Sequence, residues 1–182
     1  MLVKDLMSSP VVCCTPWDTA RSAARLMKAH EIGAVVVVGD ISDPLLEGIV
    51  TDRDLCCGVI ASGKSLDTVQ IADLMTPVPV TCLAEDSMND CIDLMQAGQF
   101  RRIPVVNDRG RCIGIVALAD IALHAPTAKI AETVKAISQP AKLDEPIHIE
   151  KEYFYCGQTH ELDEILLLNR RRELAKRFEV LK

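Results

Sequence analysis

The sequence predicts a mixed α/β (α+β) fold built from two copies of one unit. The first observation is an internal repeat: residues 3–7 return as residues 71–75, and residues 48–55 return as residues 114–121. The second is that each copy reads strand, helix, strand, strand, helix. The third is composition, because 49% of the 182 residues are apolar while only 3% are aromatic. The core must therefore be aliphatic.

The elements of each copy follow from periodicity and turn residues. Apolar residues at helical spacing indicate helices, and β-branched runs indicate buried strands. In the first copy we expect strands at residues 10–14, 33–38 and 46–50 and helices at residues 19–30 and from Asp52 onward. In the second copy we expect strands at residues 78–82, 102–106 and 112–116 and helices at residues 87–98 and from Leu118 onward. Each unit alone buries little surface, so we expect the copies to pack sheet to sheet with pseudo-two-fold symmetry.

These patterns divide the chain into four parts. We expect repeat 1, repeat 2, a trailing helix and a C-terminal extension at residues 1–65, 66–125, 126–140 and 141–182. Within the extension, residues 148–155 indicate a strand or extended arm. An imperfect apolar stripe between Leu162 and Leu181 indicates an amphipathic helix whose apolar side must be covered by the repeats, by a second copy or by a partner.

Charge and motifs exclude several classes of function. The formal net charge of −6 opposes binding to nucleic acid or to an anionic membrane. The start of the chain lacks the basic and apolar segments of a secretory signal, and no apolar run is long enough for membrane insertion. We therefore expect a cytoplasmic protein. Gly-rich phosphate loops, nucleophile elbows and zinc-protease motifs do not occur in the sequence, so we expect no enzyme activity.

Cysteine and histidine usage favours packing over redox or metal chemistry. The eight cysteines include no C-x-x-C pair, and Cys82, Cys91 and Cys112 lie inside apolar patterns where a thiol packs as a small hydrophobe. His148, Cys156 and His160 form the only grouping that suggests a metal. Zinc requires about four ligands, and no fourth is apparent, so we expect no metal site.

The repeated motifs, taken in order, resemble a tandem pair of CBS domains, also called a Bateman module. The resemblance rests on the D-L-M start of each copy, on the stretch at residues 101–106 and on residues 48–55, and it covers about residues 1–125. It extends to small stand-alone CBS proteins. The resemblance implies a non-enzymatic regulatory module that binds an adenine nucleotide such as AMP or ATP in the cleft between the repeats. It also implies signalling to a regulated protein, with no required cofactor.

The resemblance implies that Thr51 and Asp54 face the nucleotide, with the carboxylate accepting from ribose hydroxyls. An ionised carboxylate can accept two hydroxyl groups at once, which suits a vicinal diol. The same spacing is also that of a helix capping box, and the two roles are compatible. In the second copy Ala117 stands where the first has Thr51, while Asp120 is retained. We therefore expect the site around Asp54 to be the better one.

The resemblance also implies ligand contacts from cationic and apolar residues. Arg101 and Arg102 precede a strand at a position where the family reaches toward phosphate, and Arg53 is a further candidate. Solvated arginines at a strand edge are the alternative interpretation. The candidate contacts for the purine are Val12, Val35, Val80 and Ile103.

Three hypotheses of different class follow, and the one ranked last is a redox or metal protein, which would require thiol loss on mild oxidation or bound zinc. The first is a homodimeric sensor that binds an adenine nucleotide and transmits occupancy to an unidentified regulated protein. The second is a ligand-independent dimeric scaffold that acts through the C-terminal extension.

Overall fold

A computed structural model describes residues 1–139. The arm and the amphipathic helix expected in the C-terminal extension lie outside the described residues, as do His148, Cys156 and His160. Among residues 1–139, no helix is both long and apolar enough to cross a membrane.

The described chain contains seven strands and five α-helices, and the predicted order of elements is confirmed. The strands are β1 (Cys13–Cys14), β2 (Ala34–Val38), β3 (Leu46–Thr51), β4 (Thr76–Pro77), β5 (Cys82–Leu83), β6 (Arg102–Val106) and β7 (Cys112–Ala117). The helices are α1 (Ala20–His30), α2 (Asp52–Leu55), α3 (Met88–Gly98), α4 (Leu118–Ala122) and α5 (Thr127–Ile137). A π-helical turn (Cys56–Ile60) continues α2.

The first strand of each copy is shorter than predicted. In repeat 1 pairing begins at Cys13, and in repeat 2 it begins at Cys82. Val78 cannot belong to a regular strand because its φ is 45°, in the left-handed region. The adjacent Pro79 lacks an amide hydrogen for the ladder, so the expected strand starts late.

Each repeat forms its own sheet. In repeat 1 the order is β1-β2-β3-β4, with β1 parallel to β2 and β2 antiparallel to β3. In repeat 2 the order is β5-β6-β7 with the same directions. The hairpins have matching registers, since Ala34 pairs with Thr51 and Arg102 pairs with Ala117. The predicted fold class and its internal duplication are confirmed.

Helices α1 and α3 begin and end in the same way. The hydroxyl of Thr19 accepts from the amide of Ser22, and Ser87 forms a capping box with Asp90. Both helices end at a left-handed residue, Glu31 or Gln99, each with φ 54°. The local sequence therefore sets the limits of both helices.

The strand β2 has two buried faces. Val35 and Val37 pack with α1 in the core of repeat 1. Val36 and Val38 pack on the opposite face against Cys112, with Ile115 at the edge of the same cluster. Because Cys112 and Ile115 belong to β7, this third cluster lies between the two sheets. A strand that is covered on both sides shows a continuous apolar run, as in residues 34–38.

The opening segments of the two copies are exchanged. Val3 is fully buried in the core of repeat 2, and its amide donates to the carbonyl of Asp86. Ile71 is fully buried in the core of repeat 1, and its amide donates to the carbonyl of Asp18. Beyond Ile71 the chain supplies β4, which pairs with β3. Each repeat is thus completed by residues from the start of the other copy.

Candidate functional site

The second helix of each repeat begins beside the start of a central strand. The amide of Asp52 donates to the carbonyl of Gly33 over 3.2 Å, and the amide of Leu118 donates to the carbonyl of Arg101 over 2.9 Å. These bonds place the motif at residues 51–54 next to Gly33, and the motif at residues 117–120 next to Arg101. This arrangement of strand starts and helix starts defines the candidate site.

Thr51 and Asp54 form a complete capping box. Asp54 Oδ2 accepts from the Thr51 amide at 2.8 Å and from the Thr51 hydroxyl at 2.7 Å. The Asp54 amide donates to Thr51 Oγ1 at 3.3 Å. Both side chains are half-buried. The capping role is therefore present, and it occupies only one oxygen of the carboxylate.

The second copy retains half of that arrangement. Asp120 Oδ2 accepts from the Ala117 amide at 2.7 Å, and Asp120 is also half-buried. Ala117 has no hydroxyl to satisfy the amide of Asp120 in return. The helix start is preserved by the carboxylate alone, as the backbone of Ala117 is extended with φ −104° and ψ 158°.

Arg102 reaches from repeat 2 onto repeat 1. A Cβ placed on Gly33 would lie 2.7 Å from Arg102 Nη2 and 2.9 Å from Asp52 Oδ2. The guanidinium of Arg102 and the carboxylate of Asp52 therefore converge over the backbone of Gly33. Arg102 is half-buried and Asp52 is exposed. This contact brings a cation of one copy to the helix start of the other.

The remaining cationic candidates are open to solvent. Arg53 is exposed in the first turn of α2, and Arg101 is exposed immediately before β6. Arg53 follows Asp52 in sequence, and Arg101 precedes Arg102. Of the three predicted arginines, Arg102 therefore lies against Gly33, whereas Arg101 and Arg53 are sequence neighbours of the residues at that contact.

The four apolar candidates fall into two groups. Val35 and Ile103 are 0% exposed and belong to the cores of repeat 1 and repeat 2, so they present no surface to a ligand. Val12 and Val80 are half-buried. Of the four predicted purine contacts, these two have accessible surface.

Sequence reasoning missed the roles of Gly33 and Asp52. In the sequence analysis Gly33 is only the first residue of a predicted strand, and Asp52 is only the first residue of a predicted helix. One signal was available for Asp52, since the second copy has Leu118 at the same position. For Gly33 no local signal predicts which distant side chain lies against it.

The cysteines that were predicted to pack do so. Cys82, Cys91 and Cys112 are buried, as is Cys14. Burial raises the pKa of the Cys14 thiol to about 12, with nearby Asp18 and Cys13 adding to the effect, and burial raises the pKa of Cys112 to about 11. Deprotonation of these thiols is disfavoured, so they are poor nucleophiles at neutral pH. Within residues 1–139, no group of three or more His, Cys, Asp or Glu side chains is placed to hold a metal ion.

Comparison with protein families gives two matches within the chain. The family model for the CBS domain matches residues 3–58 and residues 71–126. These matched segments contain both helix starts and the three arginines of the candidate site.

Curated relatives match most of the chain. Hypoxic response protein 1 of Mycobacterium tuberculosis is 36% identical over 140 residues, which covers 77% of this chain and 96% of that protein. The CBS domain-containing protein YhcV of Bacillus subtilis is 37% identical over 122 residues, covering 67% of this chain and 84% of that protein.

Solved structures agree with this relationship. A crystal structure of Hypoxic Response Protein I with two coordinated zinc ions has a TM-score of 0.62 at 33% identity, covering 69% of this chain and all of that one. The CBS domain pair of protein MJ0100 in complex with 5-methylthioadenosine and S-adenosyl-L-methionine has a TM-score of 0.60 at 28% identity, covering 68% and 94%. CBSX2 in complex with AMP has a TM-score of 0.56 at 25% identity, covering 74% and 98%. The chain therefore belongs to the CBS-domain family, as a tandem pair of CBS domains.

Proposed function

We propose that this protein is a non-enzymatic regulatory module that binds an adenine nucleotide at the helix start of repeat 1 and signals its occupancy to a partner protein. One observation carries the proposal. The Thr51–Asp54 box, which the family resemblance assigns to ribose binding, lies beside a guanidinium that arrives from the other repeat. A ligand bound there would contact both copies, which is what a sensor requires.

The chemistry of Asp54 suits a ribose. Its Oδ2 is occupied by Thr51, and no hydrogen bond to Oδ1 occurs among residues 1–139. A ribose diol could donate to Oδ1 while the capping box stays intact. Hydrogen bonds to an ionised acceptor are stronger than neutral ones, so this single oxygen can contribute appreciably to affinity.

The relatives support an adenine-containing ligand. Two proteins of similar structure were crystallised with such molecules: CBSX2 with AMP, and the CBS domain pair of MJ0100 with 5′-methylthioadenosine and S-adenosyl-L-methionine. Adenine with a ribose is common to all three ligands. The three ligands differ in the substituent at the 5′ position and therefore in charge. Which charge a CBS protein accepts must then depend on the residues that surround that substituent.

The proposal also covers the location of the protein, its oligomeric state and the relative strength of its two sites. We place the protein in the cytoplasm as a homodimer, with no requirement for a cofactor. Repeat 1 supplies the better site, because repeat 2 lacks the hydroxyl at Ala117. Asp120 would support a second, weaker site.

A thermal-shift experiment tests the proposal. Adenosine, AMP, ADP and ATP are added separately to the full-length protein, and at least one of them is expected to raise the melting temperature. A ligand at 100 times its Kd adds about 2.7 kcal/mol to the free energy of unfolding. In Asp54→Ala the ligand-dependent increase is expected to disappear, because the ribose acceptor has been removed.

Asp90→Ala is the matched control. Asp90 Oδ2 accepts from the Ser87 amide at 3.0 Å and from its hydroxyl at 2.7 Å, which closely reproduces the Asp54 arrangement at the start of α3. Both variants lose a capping carboxylate, but only Asp54→Ala should lose the response to ligand. Unchanged melting with every adenine ligand, or an equal loss in both variants, contradicts the proposal.

A further inference from the structure

The charges around the candidate site are distributed unequally between the two copies. At the helix start, repeat 1 has Asp52 where repeat 2 has Leu118. At the strand start the situation reverses, because repeat 2 has Arg102 where repeat 1 has Ala34. The pseudo-two-fold relation therefore brings a guanidinium and a carboxylate together over Gly33. The matching positions of the other half hold Ala34 and Leu118, with Arg101 in place of Gly33.

Gly33 makes the charged contact possible. Any side chain there would place its Cβ 2.7 Å from Arg102 Nη2 and 2.9 Å from Asp52 Oδ2, both closer than real Cβ contacts allow. The absence of a side chain lets the guanidinium lie against the backbone of repeat 1. The amide of Asp52 donates to the carbonyl of the same glycine, which fixes the backbone of Asp52 beside Gly33.

Asp52 opposes the binding of phosphate in two ways. Its negative charge offsets part of the positive charge of Arg102, and it repels any anion that approaches the guanidinium. Asp52 and Asp54 lie in the same helical turn, so a ribose held by Asp54 would carry its 5′ substituent in the field of both carboxylates. Each additional phosphate charge therefore costs more binding free energy than it would beside arginines alone.

We propose that Asp52, which lies over Gly33 together with Arg102, makes this site select adenine ligands of low negative charge, a nucleoside or a monophosphate, over triphosphates. This inference rests on the proposed function, and it adds the residue that determines the charge of the accepted ligand. Arg102 remains available for one phosphate, while the carboxylate limits how much further charge the site accepts.

The test compares the Kd values of adenosine, AMP and ATP, measured by isothermal titration calorimetry without magnesium, for the wild type and Asp52→Asn. The asparagine keeps a side-chain oxygen that can accept from the Arg53 amide, as Asp52 Oδ1 does at 2.8 Å. The wild type is expected to bind AMP or adenosine more tightly than ATP. In Asp52→Asn the adenosine Kd should stay within about twofold, and the ratio of the ATP Kd to the AMP Kd should fall about tenfold.

Asp108→Asn is the control for net charge. Asp108 is exposed in the turn that follows β6, at the end of that strand opposite to Arg102. The Asp108→Asn substitution removes the same charge from the protein but far from the candidate site, so the ratio of the ATP Kd to the AMP Kd should not change. The effect of Asp52→Asn should also shrink at high salt, since screening weakens repulsion between exposed charges.

Gly33→Ala is a second, independent variant. Its methyl group must displace both the guanidinium of Arg102 and the carboxylate of Asp52. AMP should therefore bind several-fold more weakly, and the ratio of the ATP Kd to the AMP Kd should fall; an unchanged ratio would contradict the inference. Circular dichroism verifies that each variant is folded.

The outcomes separate the inference from the proposed function. If no adenine ligand binds the wild type, both fail. If ligands bind through Asp54 but Asp52→Asn leaves the ratio of ATP to AMP affinity unchanged, the proposed function stands and the inference is overturned. A wild type that binds ATP most tightly also overturns it.

Discussion

At the scale of single residues, the two repeats offer the same backbone with different side chains. Thr51 has φ −114° and ψ 164°, and Ala117 has φ −104° and ψ 158°. In both, a carboxylate three residues later accepts from the backbone amide. The two helix starts therefore differ by one hydroxyl group, and comparing them measures how much that hydroxyl stabilises the helix start.

We expect Thr51→Ala to lower, and Ala117→Thr to raise, the free energy of unfolding by about 1 kcal/mol each. The reason is the same in both: a hydroxyl at the cap satisfies an amide of the first turn. Urea denaturation without ligand measures both changes. If Thr51→Ala left the free energy of unfolding unchanged, water would be an equally good acceptor for the Asp54 amide, and the structural role of the hydroxyl would be refuted.

The aspartates of these boxes show how one residue can combine two roles. Asp54 stabilises the start of α2 through Oδ2, and a ligand would use Oδ1. Asp90 has the capping role at the start of α3, away from the arginines. Comparison of the two is therefore the most direct way to separate folding from binding.

At the scale of elements, the exchange of opening segments is the most consequential feature. A Cβ on Gly114 would lie 2.5 Å from the sulfur of Met7, and a Cβ on Gly48 would lie 2.7 Å from the sulfur of Met75. The methionine of each D-L-M motif therefore packs on the glycine of the other copy's hairpin. The two motifs of the repeat are thus in contact across the copies.

A double-mutant cycle tests this packing. Gly114→Ala should destabilise the protein by about 1–3 kcal/mol, because the added methyl group overlaps the Met7 side chain. In Met7→Ala the side chain is short, so adding Gly114→Ala should cost less than it does alone. Urea midpoints of the four proteins give the coupling free energy.

The control cycle combines Met7→Ala with Gly48→Ala. Gly48 contacts Met75 and the carbonyl of Thr76, so the two effects should add. Equal coupling in both cycles would show that segment 1–8 does not pack selectively on repeat 2.

Helix α5 is a second difference between the repeats, because it packs on repeat 2. It packs along α3, where Gln96 donates to the hydroxyl of the fully buried Thr133 at 2.9 Å. Ile137 extends the core of repeat 2. The predicted trailing helix is thus part of the repeat 2 core as far as Ile137.

At the scale of the whole described molecule, residues 1–139 form one compact unit. The sheets share the cluster around Val36, Val38 and Cys112, and the hairpins are joined by backbone bonds from Leu46 to Gly110 and from Cys112 to Pro44. Arg111 and Asp43 add an ion pair between the copies. Exposed pairs of this kind contribute little, so the apolar cluster and the exchanged segments dominate.

We therefore expect the two repeats to unfold in a single transition. Ile92→Ala, a change in the fully buried core of repeat 2, should lower the free energy of unfolding by about 2–5 kcal/mol. The only tryptophan, Trp17, lies in repeat 1 and reports that repeat. Its fluorescence midpoint in urea should shift as far as the midpoint measured by far-ultraviolet circular dichroism.

Separate transitions would contradict this expectation. If the Trp17 midpoint stayed at the wild-type value while circular dichroism shifted, the repeats would be independent domains. Val36→Ala, which alters the cluster between the sheets, should shift both probes together and controls for the sensitivity of Trp17.

The sequence by itself determined the duplication, the order of elements, the aliphatic core and the limits of α1 and α3. These features depend on periodicity and on caps such as Ser87 with Asp90, which operate between residues close in the chain. The sequence did not predict how short β1 and β5 are. For β5 the reason is that apolar spacing does not encode the left-handed φ of Val78.

Only the tertiary structure decided which copy completes which core, and which residues meet over Gly33. Val3 enters the core of repeat 2, and the side chains of Arg102 and Asp52 both lie over Gly33, through packing between positions far apart in the chain. The same packing buried Val35 and Ile103 completely while leaving Val12 and Val80 accessible. Such contacts depend on how two sheets pack together, and local sequence patterns specify only the surfaces that pack.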